Sequence, residues 1–565
     1  MLQNHEVSAS EKGMSRRSFL GYGAIGAGLL GASLAGCGKK GSDATTPVES
    51  GSDTAAAEVD ADGFVVKATK TDGKSADNDL VIAIEGTIQN LHPMNWSDGN
   101  SGNVCYYMYE TMVAHDEDYN FVPMLAESWD VSDDALTYTF RLRSGVTFSD
   151  GTPFDSSVVV TNYNEAVKKE NGWRRRRTFV QTLDDGSENY RVAKVEAPDA
   201  NTVVFTLSAP YSPFMNSISQ FYLINPSAAV DPNYNYLAQS AGTGAFTLKE
   251  WVNGDHTTMV PNPSYWGEKP TVDSVTFREV PEAGARIAML QTGEADFVYP
   301  TPSDQIATIK GAGDINLKAQ KSTTMRYVTL NTNVKELSDV RVRQAMNYAF
   351  DQKAYAEVLY SGFANPATSV LPEKLHSYEA QTPYDVDLDK AKSLLKEAGY
   401  PDGFKLTLWG DNSTQETKGM TFVMQQMAQI GITVDVQPME PATVADKTAL
   451  PADETELQMW YVNWSQNDAD GFLRSLLSSG MVPPTGYNTA FWKDDEFDAN
   501  LEKGNAAPTQ DEQDKYYREC QKIAWENCPW LFLATDDSLF SYKEYLKGVR
   551  MIPMGIDATH ATLER

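Results

Sequence analysis

From Asp79 onward, runs of apolar residues alternate with stretches of helical spacing. Leu80-Val81-Ile82-Ala83-Ile84 is continuously apolar and predicts a buried strand, which Glu85-Gly86-Thr87 ends. Leu91-His92-Pro93 breaks the chain, and Val104 to Val113 reads as a helix with Val104, Tyr107, Met108 and Met112 on one face. Leu136, Tyr138, Phe140 and Leu142 alternate with Thr137, Thr139 and Arg141, the pattern of a half-buried strand. Further on, Ser338 is placed to cap a helix that buries Val342, Ala345, Met346 and Ala349. Asp387 caps the next one, which carries Ala391, Leu394, Leu395 and Ala398 on one face and stops at Gly399 and Pro401. Phe404, Leu406 and Leu408 alternate as a strand, Met420 to Ile430 is helical, and Ile432, Val434 and Val436 alternate after Gly431. This β–α–β rhythm predicts α/β lobes.

The length of 565 residues exceeds what one hydrophobic core fills and indicates two or three domains. A net charge of −30 argues against a nucleic-acid binder, which needs a basic footprint, and suits solubility in an ionic exterior. The four cysteines form no CxxC, so neither a zinc ribbon nor a thioredoxin-like site is supported. Cys105 lies in the apolar pattern Val104 to Met108 and reads as core. Cys520 and Cys528 lie close together, and after export they form a disulfide or stay as buried thiols. No HExxH occurs, no GxSxG follows the leader, and no two histidines stand at helical ligand spacing. The chain therefore reads as a non-enzyme with no catalytic residues, no metal site and no cofactor.

Before Asp79 the texture differs. Ser15-Arg16-Arg17-Ser18-Phe19-Leu20 precedes an apolar run from Gly21 to Ala35, the layout of a secretory signal. The run is too short and too Gly-rich for a stable membrane-spanning helix. The paired arginines resemble the twin-arginine signal, and Leu34-Ala35-Gly36-Cys37 resembles a bacterial lipobox, in which the cysteine is lipidated after cleavage. Residues 1–36 are thus expected to be a twin-arginine signal peptide, and 37–78 a lipidated tether. The tether is rich in Gly, Ser, Thr, Ala and Asp, lacks apolar periodicity, and is expected to be disordered. Its anchor places the body on the extracytoplasmic face of a bacterial membrane.

Leu125-Ala126-Glu127-Ser128-Trp129, the strand at Thr137 to Leu142, Gly145-Val146-Thr147-Phe148 and Asp150-Gly151 to Pro153-Phe154 together resemble a block of the peptide-type solute-binding proteins, family 5. That family includes dipeptide-, oligopeptide- and nickel-binding subunits of ABC importers. The resemblance continues in order through Gly242-Thr243-Gly244-Ala245-Phe246, Asn262 to Trp266, Arg286 with Leu290, Gly293, Glu294 and Asp296, and Asn331 with Val340 to Ala345 and Asp351. It implies a bilobal fold of the periplasmic-binding-protein type II kind with an extra α/β subdomain. Residues 79–322 are expected to form lobe I with an inserted subdomain at about 116–210, residues 323–530 lobe II, and residues 531–565 the return to lobe I. The resemblance also implies a monomer that captures a peptide or small polar solute between its lobes and docks on an ABC permease, with no role for nucleic acid.

A cleft for polar solutes needs apolar walls and a few aimed polar groups. The Gly86 to Pro93 loop and its continuation offer Thr87, Asn90 and Trp96. Met459 to Asp468 resembles the family's ligand loop, in which an aspartate three places after a tryptophan pairs with the peptide's ammonium. Here Asn467 holds that place, and an amide cannot neutralise a buried ammonium. Either the ligand has no free ammonium, or Asp468 or Asp470 substitutes by a slip of register. Asp468 is equally placed to cap the helix that follows. Trp460, Trp464, Tyr487 and Phe491 offer aromatic walls, and Tyr487-Asn488 resembles the family's cleft-wall motif. The ligand-facing set expected from sequence is therefore Thr87, Asn90, Trp96, Trp460, Trp464, Asn467, Asp468, Tyr487 and Asn488. Trp173-Arg174-Arg175-Arg176-Arg177 is unusual in so acidic a chain; it is placed to contact an anionic ligand, a lipid headgroup or the partner, though it reads first as a solvated surface run paired with nearby Asp184 and Asp185. A secreted hydrolase, or a ligand sensor without a transport role, is the alternative.

Overall fold

Leu80, Ile82, Ala83 and Ile84 are all buried in the strand Asp79–Ile84. Both of its neighbours, Ser274–Glu279 and Phe297–Tyr299, run parallel to it, and parallel strands are covered on both faces, which is why the run is continuously apolar. These coordinates come from a computed structural model that describes residues 78–565 apart from 97 and 183–185, together with the backbone of two short strands, Glu58–Val59 and Val65–Lys67. Those two strands pair antiparallel within the expected tether. The leader, Cys37 and the pair Asp184–Asp185 lie outside the described residues. Among the described residues no helix is long and apolar enough to cross a membrane.

The main sheet has 11 strands. Its order is Phe246–Val252, His256–Pro261, Ser274–Glu279, Asp79–Ile84, Phe297–Tyr299, Trp530–Lys543, Ile315–Leu330, Met459–Ser465, Phe404–Asp411 and Ile432–Met439, with Ala364–Pro366 paired beside Trp530–Lys543. A separate four-stranded antiparallel sheet holds Val192–Asp199, Thr202–Leu207, Thr137–Leu142 and Ala126–Val131. Apolar burial divides the body into two halves. One core draws on residues from Leu80 to Phe297 and again from Phe540 to Ala561. Two others draw on residues from Met325 to Ala534. The long antiparallel strands Ile315–Leu330 and Trp530–Lys543 serve both halves, and their register shifts between Lys321 and Met325, opposite Asp537 and Thr535. There Ser322 Oγ donates to the Asp536 carbonyl at 2.8 Å. The fold is thus bilobal α/β, with the lobes joined by two continuous strands.

Several element ends differ from the sequence reading, each because a polar cap outweighs apolar spacing. The first long helix is Gly99–Met108 rather than Val104 to Val113, since Asp98 Oδ1 accepts from the Ser101 N–H at 2.8 Å and Tyr109 is already extended. The helix expected from Met420 begins at Thr414, where Ser413 caps it, and ends at Ala428. Asp339, not Ser338, caps Val340–Ala349 by accepting from Arg341 N–H. Asp387 caps Leu388–Glu397 as expected, and Gly399 takes the left-handed conformation beyond its end. Cys520 and Cys528 are buried free thiols, Cys528 donating to Tyr384 Oη at 3.1 Å, so the disulfide alternative is not realised.

Candidate functional site

The strand Met459–Ser465 leads through Gln466 and Asn467 into the helix Ala469–Leu477, which Asp468 caps by accepting from the Gly471 N–H at 2.7 Å. This turn forms one wall of a cleft. The opposite wall comes from the other half, from the segment around the short helix Arg176–Phe179 and from the segment Ser208 to Gln220, which includes the short helix Phe214–Ile218. Between them lies a cavity of about 720 Å³, lined by Arg177, Arg191, Tyr211 and Asn216 on one side and by Gln466, Asp468, Arg474 and Glu502 on the other. Direct contacts span the cleft. Asn216 Nδ2 donates to Asp468 Oδ2 at 2.9 Å, Ser212 N–H donates to the Asn505 carbonyl at 3.1 Å, and the hydroxyls of Ser212 and Tyr517 meet at 2.7 Å. At a second point Lys374 Nζ donates to Asp118 Oδ1 at 2.7 Å. The two halves therefore meet around the cavity.

Burial pushes the Asp468 carboxyl up to about 6, against which the Gly471 N–H and Asn216 pull it down. Asp470 is committed elsewhere: Arg474 holds both of its oxygens, at 2.8 and 2.9 Å, and Tyr517 Oη donates to it at 3.1 Å. Of the two acids that sequence offered in place of Asn467, Asp468 is thus the one at the cavity without an ion-paired partner at bonding distance. Its capping role and its exposure to the cavity coexist.

A smaller compartment of about 270 Å³ adjoins the first, sharing Arg177 and Gln220. Trp96, Gly99, Arg174, Arg175, Asn467, Pro553 and Met554 complete it. The Arg175 guanidinium lies 3.7 Å from the centre of the Trp96 ring, a cation–π contact. Gly102 lets that ring seat: a Cβ there would lie 3.0 Å from Trp96 carbons. Arg175 Nη1 donates to Gln220 Oε1 at 2.9 Å, while its Nε and the Trp96 Nε1 are buried without a partner. Burial, with Arg174 and Arg177 beside it, lowers Arg175 to about 10, still far above neutrality. The expected solvated run holds for Arg174 and Arg177, which are exposed, but not for Arg175, and the pairing with Asp184 and Asp185 lies outside the described residues. Of the four, Arg176 is the one with a carboxylate within 4.0 Å among the described residues, Glu188 at 2.7 Å, and the other three line the compartment.

The nine residues singled out from sequence divide. Trp96, Asn467 and Asp468 line the two compartments. Trp464 and Tyr487 pack on each other, ring centres 4.6 Å apart, with the Trp464 Nε1 buried and unpartnered. Trp460 packs into the apolar cores of its own half. Asn488 is fully buried, its amide donating to the carbonyls of Leu477, Ser478 and Trp492, and so braces a turn. Asn90 braces its own loop, accepting from His92 N–H at 2.7 Å, and Thr87 is exposed. Thr87, Asn90, Trp460, Trp464, Tyr487 and Asn488 line neither compartment. Asn216, Gln220, Arg191 and Tyr211 carried no sequence signal, because they sit on a helix of five residues, Phe214–Ile218, on its flanks, or between the strands Glu188–Tyr190 and Val192–Asp199, in segments with neither motif nor a long enough period. Among the described residues no group of three or more His, Cys, Asp or Glu is arranged to hold a metal ion.

The profile of the bacterial extracellular solute-binding proteins, family 5 middle region, matches residues 120–482. A glutathione-binding protein of Salmonella typhi is 34% identical over 487 residues, covering 85% of this chain and 93% of its own. The substrate-binding protein CtaP of Listeria monocytogenes superposes with a TM-score of 0.78 at 27% identity, covering 87% of this chain and 100% of its own. The periplasmic binding protein DppA of Helicobacter pylori, solved with a bound peptide, gives a TM-score of 0.68 at 28% identity, covering 86% of this chain and 98% of its own. By its profile, its relatives and a fold with a cleft between two joined halves, the chain belongs to the family 5 bacterial extracellular solute-binding proteins.

Proposed function

We propose that the chain is the extracytoplasmic substrate-binding subunit of an ABC importer, exported by its twin-arginine signal and anchored through Cys37. It captures short peptides or similar small polar solutes as a monomer and presents them to a membrane permease. The observation that carries this reading is the cavity of about 720 Å³ whose two walls belong to separate halves yet touch across it. That volume suits a short peptide. A ligand that contacts both walls favours the closed arrangement, because only differential contact shifts the balance between open and closed forms. The relatives point the same way, one being named for glutathione and another solved with a peptide. Asp468 supplies a site for a ligand ammonium. The test is a thermal-shift screen of the purified chain against di- and tripeptides, glutathione included, followed by calorimetry on the hits. At least one short peptide is expected to raise the melting temperature; a flat response across the panel contradicts the reading. Cys37→Ser is expected to release the protein from membranes, and unchanged retention contradicts the anchor.

A further inference from the structure

We propose that the smaller compartment is a carboxylate subsite, in which Arg174, Arg175 and Arg177 receive the anionic group of the ligand. The inference rests on the reading above that the cleft takes a short peptide, and it names the chemistry that one end of the cleft selects.

The charge balance of the compartment carries it. Every charged side chain lining it is an arginine. Among the described residues no carboxylate comes within 4.0 Å of Arg174, Arg175 or Arg177. Scarcity of acids does not explain this, since Asp and Glu number 77 against 47 Lys and Arg. Nor is a partnerless Nε enough by itself, because Arg278, Arg286 and Arg518 share that feature. Each of those three, however, has a carboxylate nearby, at 3.5, 3.7 and 3.3 Å. Arg175 is held by an amide oxygen and an aromatic face alone. A guanidinium withdrawn from water with neither carboxylate nor full hydrogen bonding is costly, and a bidentate carboxylate is the partner its planar fork fits.

The opposite wall agrees. Asn467 presents an amide to this space. An aspartate there would neutralise the arginines from within and repel an incoming anion, whereas the amide can donate to a carboxylate. Trp96 Nε1 is a further unpartnered donor. A compartment of about 270 Å³ takes a carboxylate and a few carbons, leaving the rest of a peptide in the larger space beside Asp468. The smaller compartment is thus cationic throughout, whereas the larger one sets Asp468, Asp470 and Glu502 against Arg177, Arg191 and Arg474.

The carboxylate has two sources in a peptide, an acidic side chain or the C-terminus, and calorimetry separates them. The purified chain is titrated with Ala-Ala-Glu, Ala-Ala-Gln, the C-terminal amide of each, and glutarate. The acid that fits is expected to bind at least about tenfold tighter than its amide, and the position of the sensitive acid identifies the source. Arg177→Gln, at an exposed position that leaves folding intact, is expected to remove most of that difference while changing amide binding less than about twofold. Arg175→Gln does the same if it folds. Acid and amide binding equally, or Arg177→Gln weakening both alike, overturns the subsite and leaves the peptide reading standing. Glutarate binding that depends on Arg177, with no peptide bound, supports the subsite and overturns the peptide reading. No binding by any probe overturns both.

Discussion

Arg343 and Arg175 both lie largely out of water, one in each half of the molecule, and they are provided for in opposite ways. The Arg343 guanidinium donates to the carbonyls of Leu337, Ser338, Asn527 and Cys528 at 2.7–3.1 Å, tying a helix start to the turn before Trp530. Arg326, near the strands that join the halves, sits between Asp536 at 2.8 Å and Glu416 at 2.7 Å. Arg175 has one amide oxygen, a tryptophan face and an Nε with nothing. Cations whose partners are all internal hold the fold. A cation left short of partners at the edge of a cavity is available to something that arrives from outside.

Removing the satisfied cation breaks the comparison at its firm end. Arg343→Ala leaves buried carbonyls without donors and is expected to cost about 3–5 kcal/mol of stability in urea unfolding, with ligand affinity of the folded fraction unchanged. Asn467→Asp sharpens the other end. It places a carboxylate among arginines that have none within 4.0 Å among the described residues, so acidic-peptide affinity is expected to fall about tenfold in calorimetry while the melting temperature rises slightly. The pH dependence follows from Asp468, whose folded value is raised above the ordinary 3.8 to about 6. Its contribution to stability is full below the ordinary value and is lost as pH rises through about 6. Ammonium binding needs the ionised form, so affinity for a peptide with a free amine is expected to fall about tenfold from pH 7 to 5, and an N-acetylated peptide not to share that fall. The smallest effect concerns the thiols: with Cys520 and Cys528 free, dithiothreitol is expected to leave the melting temperature unchanged.

The α/β rhythm was legible because buried strands and capped helices write themselves locally, as Leu80 to Ile84 and Asp387 to Gly399 do. Helix starts were less so, since Asp98 and Ser413 lie outside the apolar periods they cap. The motifs that carried the family resemblance turn out to be largely braces. Besides Arg343, Asn331 donates to the Leu457 carbonyl and Asp296 accepts from Val81 N–H and Tyr545 Oη. They report the fold and leave the ligand unread. The turn at Asn467 and Asp468 and the ring of Trp96, which line the cleft, were singled out from sequence, but Asn216, Gln220, Arg191 and Tyr211 were not. Arg175 meets Trp96 and faces the same space as Asn467 only through folding of distant segments; sequence offered an anionic ligand for the arginines but favoured pairing with nearby Asp184 and Asp185. The signal available was compositional: four consecutive arginines in a chain of net charge −30.

The comparison comes to a single substitution measured two ways. Arg175→Gln is followed by urea unfolding and by titration with the tightest-binding acidic tripeptide. The account predicts that stability is retained, within about 1 kcal/mol, while affinity falls at least about tenfold. A loss of stability comparable to that of Arg343→Ala, with acidic-peptide affinity unchanged in the folded protein, would place Arg175 among the braces and contradict it.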